Sequence, residues 1–184
     1  MTADATTTQV YFAYGSNLHP LRMAARLVEP RLIDSAVLPG WTLRFDKRGR
    51  DGSGKCTIAP ADDVVHGALY HLTAADQARL DDIEGLGTGY DAQRVALPGH
   101  GMATTYVARP DALAQDLPVF DWYLGLVIAG GRHLAFPPAW FERFATLTVV
   151  ADPDVERAAT HARLLADCAA YPPFERISPL SPTQ

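Results

Sequence analysis

The sequence predicts an α+β domain, a small and mostly antiparallel β-sheet or barrel surrounded by helices. Short β-like runs fill the first two thirds of the chain, while the last third is dominated by apolar residues at helical spacing. A length of 184 residues suits one substantial core and is short for two.

The elements follow in order. Residues 1–8 are polar and Thr-rich and read as a disordered tail. Val10 to Tyr14 is aromatic and apolar on both alternating faces, as in a strand buried on both sides. It stops at Gly15-Ser16-Asn17. Pro20 suits a first helical position, and Leu21, Ala24, Ala25 and Val28 recur at helical spacing before Pro30. Four β-like runs, Leu32–Leu38, Trp41–Phe45, Lys55–Ala59 and Val64–Tyr70, are separated by Pro-Gly and Gly-rich breaks. A helix is expected from Ala74 to Glu84, capped by Thr73 with Asp76 and stopped by Gly85. Strands at Tyr90–Leu97 and Met102–Ala108 flank a turn at Pro98-Gly99-His100-Gly101.

Downstream, Phe120, Tyr123, Leu124 and Val127 form a helical stripe expected to end at Gly130-Gly131. Pro137 to Phe144 reads as a shorter helix. Asp152-Pro153 opens a last one, with Val155, Ala158, Ala159, Ala162 and Leu165 as its apolar face. The expected organisation is a main domain over 9–150, a packed C-terminal helix over 151–171 and a Pro-rich tail over 172–184.

The bulk properties exclude several classes of function. A net charge of -5 and the lack of a long Lys/Arg run argue against nucleic acid and anionic membranes as partners. The longest apolar run, Leu124 to Ala129, is far short of the ~20 residues that cross a bilayer. Two distant cysteines, Cys56 and Cys168, fit a reducing cytoplasm better than a disulfide framework. His66 and His71 would point to opposite faces of a strand, and no metal site is expected from spacing.

Gly49 to Lys55 reads G-x-x-x-x-G-K, but Cys56 replaces the Ser or Thr a P-loop needs, and Cys56 to Pro60 looks like a strand. A hairpin turn is the better reading. No G-x-S-x-G occurs, Ser16 has no sequence-evident base, and the cysteines read as packing residues.

Two segments remain. In Tyr14-Gly15-Ser16-Asn17-Leu18 a buried strand passes into a helix through small residues, whose backbone N–H groups can hold a carboxylate or an oxyanion. Locally this is also what an ordinary turn and cap would look like. Leu80-Asp81-Asp82-Ile83-Glu84-Gly85 ends a helix with three carboxylates, where the helix dipole disfavours negative charge. At 100° per residue Glu84 falls within about 40° of Leu80 on the inward side, with Asp81 and Asp82 turned away. Glu84 is therefore the candidate proton carrier, against the plain alternative of a frayed, solvated helix end.

The run Tyr11 to Leu18 resembles the opening signature of the γ-glutamyl cyclotransferase family, and Leu80-Asp81-Asp82-Ile83-Glu84-Gly85 resembles its Leu-Asp-x-x-Glu-Gly motif. Gly89-Tyr90, Tyr106, Tyr123, Gly130 and Phe136-Pro137 continue the likeness, which runs from Val10 to Leu147 with Gly131 in place of the common Ala. The resemblance implies Glu84 as the catalytic acid/base and Tyr14, Gly15, Ser16, Asn17, Leu18, Tyr90, Tyr106 and Tyr123 as substrate-binding residues. It also implies a reaction without cofactor or metal: the α-amine of a γ-glutamyl compound attacks its own γ-carbonyl, releasing an amine and 5-oxoproline. Such an intramolecular acyl transfer needs mainly a folded substrate conformer. Two other readings stay open: a non-catalytic protein of the same fold that binds a small carboxylate or amide, and removal of a γ-glutamyl protecting group from a pathway intermediate.

Overall fold

The computed structural model describes residues 8–175. The expected tail at 1–8 lies outside the described residues except for residue 8, as does the part of the Pro-rich tail from 176 to 184. Strand β1 (Gln9–Ala13) leads into the short helix α1 (Pro20–Ala24). Two long strands follow, β2 (Arg31–Arg48) and β3 (Gly54–Leu72), and then α2 (Ala74–Glu84). Strands β4 (Tyr90–Leu97) and β5 (Gly101–Ala108) form a second hairpin. The last third holds β6 (Val119–Phe120), α3 (Asp121–His133), α4 (Pro138–Glu142), β7 (Val149–Val150) and α5 (Val155–Ala170).

Five strands form one open sheet in the order β2-β3-β1-β5-β4, and β6 with β7 forms a separate parallel pair. The sheet is not closed into a barrel, which corrects that half of the sequence expectation. Pairing is antiparallel throughout except between β1 and β5, so the two hairpins are stitched through the central β1. That central place explains why Tyr11, Phe12 and Ala13 are all buried. Tight packing reinforces it, because a Cβ on Gly67 would meet the Phe12 ring at 2.3 Å.

The four short runs between Leu32 and Tyr70 are two continuous strands. Pro39-Gly40 does not end a strand; the register shifts between Pro39 and Trp41, and Gly40 sits at φ +80. β2 is an edge strand, where proline is tolerated, and the bulge lets the strand continue past it.

The helices also depart from pattern for local reasons. Helix α1 stops at Ala24, and the expected stripe residue Val28 is 79% exposed. The Asp76 carboxylate accepts the Val28 and Glu29 N–H groups at 2.8 and 3.0 Å, which draws the chain out of the helix. Thr73 caps α2 by accepting the Asp76 N–H, and Gly85 ends it at φ +70.

Helix α3 runs through Gly130-Gly131 to His133 instead of stopping there. The two glycines are packing residues: a Cβ on Gly130 would lie 2.2 Å from that of Leu18, and one on Gly131 would lie 2.3 Å from the Trp140 ring. Helix α5 keeps Leu165 of the expected face against the core but not the rest of it. Val155 is 78% exposed and Ala159 and Ala162 face solvent, while Cys168 is buried and Leu164 and Leu165 pack on the core. The helix is fixed by stacking of His161 on Trp122 at 3.8 Å and by Asp152, which accepts from Trp122 Nε1 at 2.7 Å and pairs with Arg157 at 2.6 Å. Among the described residues no helix is long and apolar enough to cross a membrane.

Candidate active site

The β1–α1 loop and the end of α2 meet over the sheet, and their side chains form one polar cluster. Asn17 Nδ2 donates to Glu84 Oε1 at 3.0 Å and to the Tyr11 hydroxyl at 3.1 Å. Arg26 Nη1 donates to Asn17 Oδ1 and to Glu84 Oε1, both at 3.0 Å. Both donors thus converge on a single oxygen of Glu84, and Oε2 has no partner among the described residues. Anchoring by one oxygen fixes the carboxylate while leaving the other to act on a ligand.

A narrow inner chamber of about 30 Å³ lies beside this cluster. Its walls are Gly15, Ser16, Asn17, Cys56, Glu84 and the five tyrosines Tyr11, Tyr14, Tyr90, Tyr106 and Tyr123. Tyr14 donates to the Tyr106 carbonyl, Tyr90 donates to the Cys56 carbonyl at 2.7 Å, and Tyr123 accepts the Cys56 N–H at 2.9 Å. These bonds tie three strands and α3 around the chamber. Burial, helped by the Glu84 charge, pushes the Tyr11 hydroxyl well above its ordinary range, so it stays a neutral donor. Burial also pushes the Cys56 thiol up to about 12, which leaves no thiolate for nucleophilic attack.

The loop backbone adds donors. The N–H groups of Gly15, Ser16 and Asn17 have no acceptor among the described residues, and all three residues line the inner chamber. Gly15 is required by space: its Cβ would fall 2.9 Å from that of Cys56.

A wider outer chamber of about 250 Å³ opens from the same place, sharing Ser16, Glu84, Tyr90 and Tyr123 with the inner one. Its remaining wall comes from α1 and the residues just after it, from the β2–β3 turn with the strand ends on either side of it, from Ile83 of α2 and from Trp122 of α3. The G-x-x-x-x-G-K segment is that turn. Asp51 holds it by accepting from the Ser53 N–H at 3.0 Å and pairing with Lys55 at 2.7 Å.

Of the residues singled out by sequence, Glu84, Tyr14, Gly15, Ser16, Asn17, Tyr90, Tyr106 and Tyr123 come together here. Leu18 does not. It is fully buried in the core against Gly130, and its carbonyl accepts from Tyr70 at 2.9 Å. Asp81 was expected to face away, yet it accepts from the Tyr106 hydroxyl at 2.5 Å and from Gln77 at 2.9 Å, fixing the Tyr106 ring. Sequence reasoning missed Tyr11, Arg26, Arg22, Lys47 and Trp122. A signal existed for two of them: Arg22 and Arg26 are four residues apart directly after the loop, hence on one helical face. Among the described residues no group of three His, Cys, Asp or Glu side chains is placed to hold a metal ion.

The family model for γ-glutamyl cyclotransferase, AIG2-like proteins matches residues 11–124, more than half of the chain, and spans both the loop and Glu84. None of the curated proteins resembles the sequence closely enough to count as a relative. Among solved structures, a protein described as a γ-glutamyl cyclotransferase superposes with TM-score 0.74 at 19% identity, covering 87% of this chain and 99% of its own. A Homo sapiens protein described as uncharacterized, loc79017, gives 0.69 at 21%, covering 83% and 98%. YkqA of Bacillus subtilis gives 0.65 at 20%, covering 79% of this chain and 57% of its own. These likenesses bear on the fold, whereas the family match bears on the sequence itself: the chain belongs to the γ-glutamyl cyclotransferase, AIG2-like family.

Proposed function

We propose that this chain is a γ-glutamyl cyclotransferase in which Glu84 carries the proton. The α-ammonium of a γ-glutamyl substrate gives a proton to Glu84, and the freed amine attacks the γ-carbonyl of the same molecule. A five-membered lactam forms as the attacking nitrogen sheds a second proton, the bond to the leaving nitrogen breaks, and that nitrogen takes up both protons by way of Glu84 and departs as an ammonium. The products are 5-oxoproline and the free amine. Closing the substrate on itself makes the step unimolecular, so positioning supplies much of the rate.

The observation that carries this reading is the one-sided anchoring of Glu84, with Arg26 and Asn17 on Oε1 and Oε2 unpartnered among the described residues. Oε2 is thereby left available to the substrate amine while Oε1 holds the carboxylate in place. The unpaired N–H groups of Gly15, Ser16 and Asn17 are suited to the oxyanion that develops on the γ-carbonyl, or to the substrate carboxylate. Tyr90, Tyr106 and Tyr123 shape the inner chamber around the folding glutamyl group.

The test is incubation of the purified protein with γ-glutamyl amino acids, peptides and amines, with 5-oxoproline as the readout. Formation of 5-oxoproline from at least one substrate is expected, and its abolition in Glu84→Gln at unchanged melting temperature. Stabilisation by these compounds without turnover of any would instead favour a binding protein.

A further inference from the structure

The outer chamber is far more cationic than the molecule around it. The protein carries a net charge of -5, yet Arg22, Arg26, Lys47, Arg50 and Lys55, five of its 16 Lys and Arg residues, line this cavity against Asp51 and Glu84. Arg26 pairs with Glu84 and Lys55 with Asp51. Arg22, Lys47 and Arg50 have no anionic partner among the described residues.

Two of these three are buried. Arg22 is 9% and Lys47 8% exposed, and the Arg22 Nε finds no acceptor. Lys47 reaches the cavity over the Tyr90 ring, 4.7 Å from its centroid, in space kept clear by Gly89, whose Cβ would sit 3.1 Å from Nζ. Burial lowers the Lys47 and Arg22 pKa values, the latter to about 10, and the Glu84 charge, which acts on both without forming an ion pair with either, offsets only part of that cost. A buried, unpaired cation is unfavourable in the empty protein and becomes favourable once an anion arrives.

A γ-glutamyl group brings one carboxylate. Even if that carboxylate turned outward, it would match one of three free cations. Resting on the cyclotransferase reading above, we propose that the outer chamber is a leaving-group subsite for an amine bearing at least two anionic charges, held by Lys47, Arg22 and Arg50. An amino dicarboxylate or a phosphorylated amine has this chemistry.

A charge ladder tests it: γ-glutamyl-n-butylamine, γ-glutamyl-alanine and γ-glutamyl-glutamate, with γ-glutamyl-phosphoethanolamine to separate phosphate from carboxylate. The specificity constant for 5-oxoproline release is expected to rise about tenfold with each added charge, the effect of one charge-assisted contact. In Lys47→Met the ratio of γ-glutamyl-glutamate to γ-glutamyl-butylamine should fall at least tenfold, and in Arg50→Gln, an exposed position, by a smaller factor. A flat or reversed ladder with a turning-over wild type overturns the subsite and leaves the cyclotransferase reading intact. If no compound is turned over, that reading fails, and thermal-shift titration of the same four compounds decides the subsite alone. Stabilisation ordered by charge upholds it, and stabilisation without that order overturns it.

Discussion

Replacing Gly15 with alanine puts a methyl group where the inner chamber has no room. The new Cβ would lie 2.9 Å from Cys56 Cβ and 3.4 Å from both Cys56 Sγ and the Tyr123 hydroxyl. Carbon atoms pack best at about 3.5–4.0 Å, so an overlap of roughly 0.6–1.1 Å must be relieved. Strand β3 cannot yield cheaply, because the Cys56 N–H and carbonyl are held by Tyr123 at 2.9 Å and Tyr90 at 2.7 Å. The loop therefore moves, carrying the Ser16 and Asn17 donors away from Glu84. The overpacking should cost about 1–3 kcal/mol in a urea unfolding experiment. A misplacement on the order of 1 Å should cut the specificity constant for 5-oxoproline release by about 100-fold. Cys56→Gly in the same chain should recover turnover though not stability, whereas Cys56→Ala should not, since the clashing Cβ remains. Wild-type stability and turnover in Gly15→Ala would refute this reasoning.

Three further outcomes follow from the geometry. Tyr106→Phe removes the 2.5 Å bond to Asp81 and should lower stability by about 1.5–3 kcal/mol, the range for a hydrogen bond to a charged group, measured by denaturant titration. Gly131→Ala should destabilise by about 1–3 kcal/mol despite alanine's better helix propensity, because its Cβ would meet the Trp140 ring at 2.3 Å; the melting temperature reads this. Burial, followed by the repulsion of Arg22 and Arg26, lowers the His161 pKa to about 4, so at intermediate pH the unfolded chain binds a proton there that the folded one does not. Its contribution is full above the ordinary His value near 6.5, fades as pH falls toward about 4, and should flatten over that window in thermal scans of His161→Phe.

Much of the site was legible because it lies in two contiguous segments. Helical phase set Glu84 on the inward side of α2, and the capping residues Thr73 and Gly85 fixed where that helix starts and stops. The same phase argument failed for Asp81, since it knows nothing of the Tyr106 hydroxyl arriving from β5. Lys47 and Trp122 were invisible for a related reason: each reaches the cavity only after a bulge or a helix packing brings it there. Glycines misled in both directions. Gly40 reads as a break but is a bulge inside β2, and Gly130-Gly131 reads as a helix end but is a close-packing surface inside α3. Of the face expected for α5, Leu165 packs on the core but Val155, Ala159 and Ala162 do not, because the packed side is set by His161 stacking on Trp122 and by Cys168 near His19.

The central claim is that Glu84 moves the proton, and Glu84→Gln tests it most directly because glutamine retains the volume and can still meet Asn17 and Arg26 through its carbonyl oxygen. The measurement is 5-oxoproline release by wild type and variant from whichever γ-glutamyl compound the wild type turns over fastest. A loss of at least about 100-fold at unchanged melting temperature is expected, the scale of a lost general acid/base. Undiminished release by Glu84→Gln would contradict it.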